Sequence, residues 1–290
     1  MSEFGARLAR LRRELARREA QDFHTGARPN VRYLTGFSGS SGHLLVGERS
    51  LTLFTDGRYR TQAAAETAAV PGLEIVVSER RPPFDDLLDA LRDRRVRRLA
   101  IEKERLGFAV FQTFAGLRPR LHFVETEGLV EDLRAVKSDS EIETIRRAAA
   151  LNSRAFETVA GRWRPSWTAR RAAAEIDYEI GRLGGEGSAF PTIVAGGERS
   201  ALPHASPTNE RPPRGSLVVV DHGAILGGYA SDMTRMLCWG DPGPKLREVF
   251  GAVREAQQAA VEAVRAGVSA KTVDRAARAV VERRGFGEHF

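Results

Sequence analysis

The sequence predicts an α/β (α+β) chain in two parts, on three observations. Short apolar strand-like runs alternate with helical periods up to about Val124. Near Val130 the pattern changes to long amphipathic helices followed by apolar strands. The length of 290 residues itself suggests about two domains at ~100–200 residues each. We place the boundary at Glu131–Lys137, giving one domain over 1–130 and a second over 131–290.

In the first part, Leu8, Leu11 and Leu15 recur at helical spacing. Val31 to Gly42 is rich in Gly, Ser and Thr and reads as loop. His43 to Val46 and Leu51 to Thr55 are apolar runs joined by Gly47-Glu48-Arg49-Ser50, a hairpin signal. A helix from Arg58 to Ala69 stops before Pro71. Strands at Leu73–Val77, Leu99–Glu102 and Leu121–Val124 alternate with helices at Phe84–Arg94 and Phe108–Leu117. In the second part, Ser138 with Glu141 forms a capping box before a helix striped by Ile142, Ile145, Ala149 and Phe156. Thr168 caps a further helix carrying Ala172, Ile176, Ile180 and Leu183, ended by Gly184-Gly185. Strands follow at Thr192–Val194, Leu217–Asp221 and Ala230–Trp239, then helices at Pro244–Arg265 and Ala270–Arg284.

Composition narrows the function classes. Hydrophobic residues make up 42% and charged residues 29%, too apolar for a disordered chain. No apolar run is long enough to span a bilayer, and Met1–Ala20 lacks the apolar stretch of a secretory signal. The single cysteine, Cys238, excludes an intramolecular disulfide and a thiolate zinc cluster, and a reducing cytoplasmic setting is expected. The net charge of +7 raises the question of nucleic acid. Most of the arginines stand beside Glu or Asp on helical stretches, the pattern of solvated faces, so no nucleic-acid or membrane partner is expected.

The chemistry concentrates in Leu217-Val-Val-Val-Asp221-His-Gly-Ala-Ile-Leu-Gly-Gly-Tyr-Ala-Ser-Asp232-Met-Thr-Arg. Two apolar strands flank Gly227-Gly228, a hairpin. A symmetric loop about Leu226-Gly227 would set Asp221 directly opposite Asp232, with Cβ atoms roughly 4.5–5.5 Å apart. Opposed carboxylates destabilise a sheet unless a cation lies between them. The plainer alternative is two carboxylates flanking an exposed turn, and a one-residue shift of register would separate them. A second constellation, Pro203-His204-Ala-Ser-Pro207-Thr208, holds an imidazole between prolines. His204 could donate a hydrogen bond to a developing oxyanion, or be an ordinary loop histidine.

Asp221-x-Gly-Ala-x-x-x-Gly-Tyr-x-Ser-Asp232-x-Thr-Arg resembles the metal-binding hairpin of the pita-bread metallopeptidases, in the Xaa-Pro aminopeptidase and Xaa-Pro dipeptidase (prolidase) branch. Pro203-His204-x-x-Pro207-Thr208 is similar to that family's active-site histidine segment, and Ser188–Gly196 to the strand before it. Leu133–Arg146 resembles the entry to its catalytic domain. Tyr33-Leu-Thr-Gly36-Phe-Ser-Gly and Phe54-Thr-Asp56-Gly-Arg58-Tyr resemble the creatinase-like N-terminal domain. The resemblance implies a creatinase-like α/β domain, then a pita-bread domain incomplete at its C-terminus. It implies hydrolysis of the bond before proline in a peptide by two divalent ions, manganese or cobalt first and zinc next. It further implies Asp221 and Asp232 as metal ligands, His204 as the transition-state hydrogen-bond donor, and a homodimer.

The pattern then departs from the family. Gly285-Phe-Gly287-Glu-His-Phe290 stands where the family's run leads into its histidine ligand, and the sequence stops there. His289 lies upstream of the ligand position, and the family's two glutamate ligands have no counterpart. The resemblance therefore implies that this chain alone is inactive or nearly so. A non-enzymatic binding protein, or metal-free creatinase-type hydrolysis, would be the other uses of such a fold.

Overall fold

The structure, a computed structural model, describes residues 2–79, 82–116 and 121–289. It divides into two compact units, Met1–Lys137 and Ser138–Phe290.

The first unit runs α1 (Glu3–Arg17), β1 (Asp22–Thr25), α2 (Arg28–Thr35), β2 (His43–Gly47), β3 (Leu51–Asp56) and α3 (Arg60–Glu66). It continues with β4 (Glu74–Ser78), α4 (Pro83–Asp93), β5 (Arg98–Glu102), α5 (Phe108–Ala115), β6 (His122–Thr126) and α6 (Leu129–Ala135). The expected end of α5 at Leu117 lies outside the described residues. The strands form one sheet in the order β4-β3-β2-β1-β5-β6. The β1–β2 and β2–β3 pairs are antiparallel, and the other three are parallel.

Side-chain alternation explains the three layers. Leu44 and Val46 of β2, with Ala100 of β5, join the core built on Leu8, Leu11 and Leu15 of α1. Leu45, Leu99 and Ile101 point to the opposite face and pack with Leu87, Leu88 and Leu91 of α4 and Phe114 of α5. Both faces of the sheet are thus covered, which is why its strands read as continuous apolar runs. The division after Lys137 falls at the end of the expected Glu131–Lys137 stretch, and Leu129, Val130 and Leu133 of α6 join the first core.

One expectation here is corrected, and one strand is unexpected. Part of the loop predicted over Val31–Gly42 is helix α2, with a proline in its first turn and Gly36 in the left-handed region (φ 83°) closing it. Strand β1 lies between β2 and β5 and carries Asp22, His24 and Thr25, all buried. Its burial comes from neighbouring strands and not from an apolar run, so periodicity does not show it.

His24 and His43 supply a testable consequence. Nε2 of His24 lies 3.1 Å from Nδ1 of His43, with Phe84 and Phe114 edge-on to His24. Burial holds both imidazoles below their usual range, and at His24 the neighbouring His43 lowers it further. Both are neutral in the fold, while the unfolded chain takes up protons near pH 6.5. Their stability contribution is therefore complete above that pH and lost as pH falls below it, by up to about 1.4 kcal/mol per pH unit and group. Asp22 and Glu102, whose carboxyls burial pushes up, run the other way in the carboxylate range. We expect the first unit's urea midpoint to fall between pH 7 and 5, and His24→Phe/His43→Leu to flatten that fall. Far-UV circular dichroism follows it against tryptophan fluorescence, which reports only the second unit, home of Trp163, Trp167 and Trp239.

The second unit comprises α7 (Asp139–Arg162), α8 (Ala169–Arg182), β7 (Gly187–Ser188), β8 (Ile193–Gly196) and β9 (Leu217–His222). Then come β10 (Ala224–Leu226), β11 (Tyr229–Ala230), β12 (Met233–Cys238), α9 (Gly243–Ala263) and α10 (Ala270–Arg283). An antiparallel sheet of order β12-β9-β8 continues into a small β11-β10-β7 sheet. Helices α7 and α8 back the sheets through Leu151, Ala155, Val159, Ile176 and Ile180 against Val194, Val218, Val220 and Ala224. Both N-caps form as predicted, the Ser138–Glu141 capping box and Thr168 on the Arg171 amide. The apolar stripe of α7 is displaced from the predicted one. Ile142 and Ala149 are exposed, and the buried face is Glu141, Ala148, Leu151, Asn152, Ala155 and Val159. Two polar residues on that face hid it from a count of apolar spacing. No helix among the described residues is long and apolar enough to cross a membrane.

Candidate active site

The hairpin turns on Gly227-Gly228, not on Leu226-Gly227. Leu226 pairs with Tyr229, and both glycines have positive φ, 59° and 80°. A two-residue hairpin turn of this type needs left-handed backbone at both central positions, which glycine adopts without the strain a leucine would suffer. The turn centre therefore moves by one residue, and every residue's cross-strand partner moves by two. Asp221 stands opposite Thr234, whose hydroxyl donates to its carboxylate at 2.8 Å. The expected direct Asp221–Asp232 opposition is corrected.

Asp232 instead falls level with Gly223, two positions from Thr234 and diagonal to Asp221. Residues offset by two share a face, and such diagonal neighbours lie about 7–8 Å apart. A side chain at position 223 is impossible: a Cβ would sit 2.2 Å from the Ser231 carbonyl oxygen. That close approach lets the two short ladders run through the site in one register. The carboxylate face is open, with Asp221 half-buried and Asp232 exposed.

The other face is pinned to α7 at three points. The Tyr229 hydroxyl donates to Glu141 at 2.7 Å, so the N-capping glutamate also anchors the hairpin tip. Ser153 donates to the Met233 sulfur at 3.7 Å. Between them, the Asn152 amide nitrogen donates to the His222 carbonyl at 3.1 Å while its oxygen lies 2.6 Å from Nδ1 of His222. This pairing places the proton on Nδ1. The ring stacks on Phe156, and burial pushes the imidazole down to about 4. Nε2 of His222 is buried with no hydrogen-bond partner among the described residues. Sequence reading missed Asn152 and His222. The available signal was a polar residue on an otherwise apolar helix face.

Asn152→Ala should cost about 3 kcal/mol, because it strands a buried carbonyl and a buried ring N–H together. Urea unfolding followed by tryptophan fluorescence measures it. A loss below about 1 kcal/mol would mean the clamp contributes little.

His204 lies in the exposed loop between β8 and β9, among turn residues. Among the described residues no group of three or more His, Cys, Asp or Glu side chains is placed to hold a metal. The structure thus does not gather His204 with the two aspartates into a ligand cluster. Asp221 and Asp232 have the hard oxygen donors a divalent ion takes, on one open face, but two carboxylates alone would not complete a two-ion site.

A three-layer α/β unit, followed by helices backing a hairpin with two carboxylates on its open face, is the architecture of a pita-bread metallopeptidase. The chain belongs to metallopeptidase family M24. That family's profile matches residues 143–290, and the creatinase/prolidase N-terminal domain matches residues 7–136. It is 34% identical over 262 residues to the Xaa-Pro dipeptidase of Pyrococcus furiosus, covering 90% of this chain and 72% of that one. It is 30% identical over 261 residues to the uncharacterized peptidase YqhT of Bacillus subtilis, covering 90% and 73%. Among solved structures, the Xaa-Pro dipeptidase of Bacillus anthracis superposes with TM-score 0.91 at 30% identity, covering 98% of this chain and 79% of that one. The X-Pro aminopeptidase of Thermotoga maritima gives 0.86 at 33%, covering 94% and 79%.

Proposed function

We propose that this protein is a metal-dependent peptidase for the bond between a residue and the proline that follows it. The observation that carries this reading is the pair Asp221 and Asp232, on one open face of the hairpin, in a member of a metallopeptidase family with relatives named for Xaa-Pro cleavage. Asp221, oriented by Thr234, and Asp232 are the ligands this chain supplies; manganese or cobalt suits their hard oxygens, with zinc next. Bound divalent ions supply Lewis acidity and a water acidic enough to act near neutral pH. His204, without a hydrogen-bond partner among the described residues, is free to meet the substrate carbonyl oxygen. The cell's cytoplasm and a homodimer complete the reading.

Two carboxylates do not hold two ions, so the 290-residue chain alone should turn over little. The test is hydrolysis of Xaa-Pro dipeptides and tripeptides with added Mn²⁺ or Co²⁺, beside a version extended past Phe290. The reading expects turnover in the extended version that Asp221→Ala and Asp232→Ala abolish. Absence of proline-directed cleavage there would overturn it.

A further inference from the structure

All three tryptophans of the chain stand together at the end of the β9–β12 ladder remote from Asp221. The Trp163 and Trp239 rings lie 4.9 Å apart at 51°, and Trp163 stacks on Trp167 at 6.2 Å. Trp163 and Trp239, with Pro212 and Pro213, wall a cavity of about 510 Å³ whose remaining lining includes Arg211 and Arg214. Trp239 follows the Leu217–Cys238 pair, four positions along from Asp221 and Thr234, roughly 13 Å at ~3.3 Å per residue. The cavity is therefore separate from the carboxylate face.

We propose that this slot docks an extended, proline-containing segment of a partner protein that carries a carboxylate beside the proline. Its chemistry supports that occupant. Indole and proline rings lining one cavity supply flat apolar faces, the kind of surface on which polyproline-II segments seat with little ordering cost. A second hollow of about 380 Å³ shares Arg211, Pro212 and Pro213 with the first, so an extended strand crossing the proline ridge reaches both.

Charge selects the flanking residue. Many arginines of the chain pair with neighbouring carboxylates, as Arg162 does with Glu175 and Glu179. Arg211 and Arg214 are exposed, and neither makes a hydrogen bond or ion pair among the described residues. Two free guanidinium groups at the rim of an aromatic slot suit a carboxylate. Glu198 and Glu210 line the second hollow, so the segment's single carboxylate belongs at the first, beside Arg214, and the repeated charges of a nucleic-acid backbone are disfavoured.

The slot is preformed. The Gly215 amide donates to the Trp239 carbonyl at 2.7 Å, and Gly215 has φ 77°, with room for no Cβ beside the Asp241 carbonyl. Pro212 packs so close to Gly196 that a Cβ there would meet it at 2.7 Å. The loop before the ridge is tied to α8 by the Ala169 amide on Glu210 and the Arg170 amide on Thr208. A ligand pays little to order such a surface.

The experiment titrates the 290-residue chain with the blocked peptide acetyl-Pro-Pro-Glu-Pro-Pro-amide, following tryptophan fluorescence. Blocked ends keep it from presenting a free N-terminus to a peptidase. The expected result is a saturable change, weakened about tenfold or more by Arg211→Ala/Arg214→Ala, by Lys in place of Glu, and by raised salt. Circular dichroism confirms that the double variant folds, as its exposed, unpaired side chains lead us to expect. Asp221→Ala should bind as the unaltered chain does, which keeps this result independent of the proposed peptidase activity. No saturable change, equal binding of the Glu and Lys peptides, or loss of binding in Asp221→Ala would overturn the proposal. So would a fluorescence change driven by protein concentration alone, which would put a second copy in the slot.

Discussion

Asp221→Ala and Asp232→Ala should each lower Mn²⁺ affinity by more than about a hundredfold in a version of the protein extended past Phe290. The magnitude follows from the role. Replacing a residue that merely orients a metal ligand costs roughly 10–100-fold, so removing the ligand itself exceeds that range. Thr234 gives the internal calibration. Its hydroxyl holds the Asp221 carboxylate at 2.8 Å, so Thr234→Val should fall within 10–100-fold, between the intact protein and the Asp variants. Manganese paramagnetic resonance reads free ion directly and needs no turnover. Affinity unchanged in either Asp variant would place the metal elsewhere. Affinity lost in Asp221→Ala but kept in Asp232→Ala would mean that the diagonal across the hairpin does not span one site.

That diagonal is legible in the sequence only in part. The apolar runs on both sides of Gly227-Gly228, and the glycine pair itself, announced a hairpin, and the hairpin is there. The error was to centre it by the symmetry of the two aspartates instead of by the backbone. Turn geometry is set by which residues tolerate positive φ, and Leu226 does not. A one-residue slip of pairing sends a side chain to the other face, but here the partner of Asp221 moves by two, the full side-chain period. Asp221 still shares a face with Asp232, through Thr234 and not directly. The electrostatic case for a cation weakens accordingly, since the carboxylate face is open to water and the buried face belongs to His222 and Met233.

Other parts of the fold divide along the same line. Local signals were legible: the Ser138 and Thr168 caps, the Leu8-Leu11-Leu15 stripe and the β2–β3 hairpin all form. What depended on distant partners was not. Strand β1 is buried because β2 and β5 enclose it, and Asn152 is on the core face of α7 because His222 waits across from it. Neither partner is near in sequence, so neither leaves a periodic trace. Family resemblance supplies what periodicity cannot, a proposed role for the two aspartates and for His204, and family profiles match both parts of the chain.

His204→Ala, in the same extended version, should lower kcat on an Xaa-Pro dipeptide by about 10²–10³-fold while leaving metal content unchanged. The size is that of losing one donor to a developing oxyanion. The loop argues for this role over an idle one. Pro203 and Pro207 fix the backbone on both sides of the imidazole, and Arg199 ties the loop back by donating to the Ser206 carbonyl at 3.0 Å. Holding the backbone while leaving the ring exposed, with no partner among the described residues, suits a group that must find its hydrogen bond on the substrate. A metal ligand would show the opposite behaviour, losing metal along with rate. A donor used only in the transition state lowers kcat and kcat/KM together, with KM little changed. His204→Gln, which keeps an N–H donor, should recover part of the rate. Turnover equal to that of the unaltered protein in His204→Ala would return the residue to an ordinary place in the loop. A rate loss that tracked lost metal would instead make it a ligand, and the site would then have to be rebuilt around three residues of this chain.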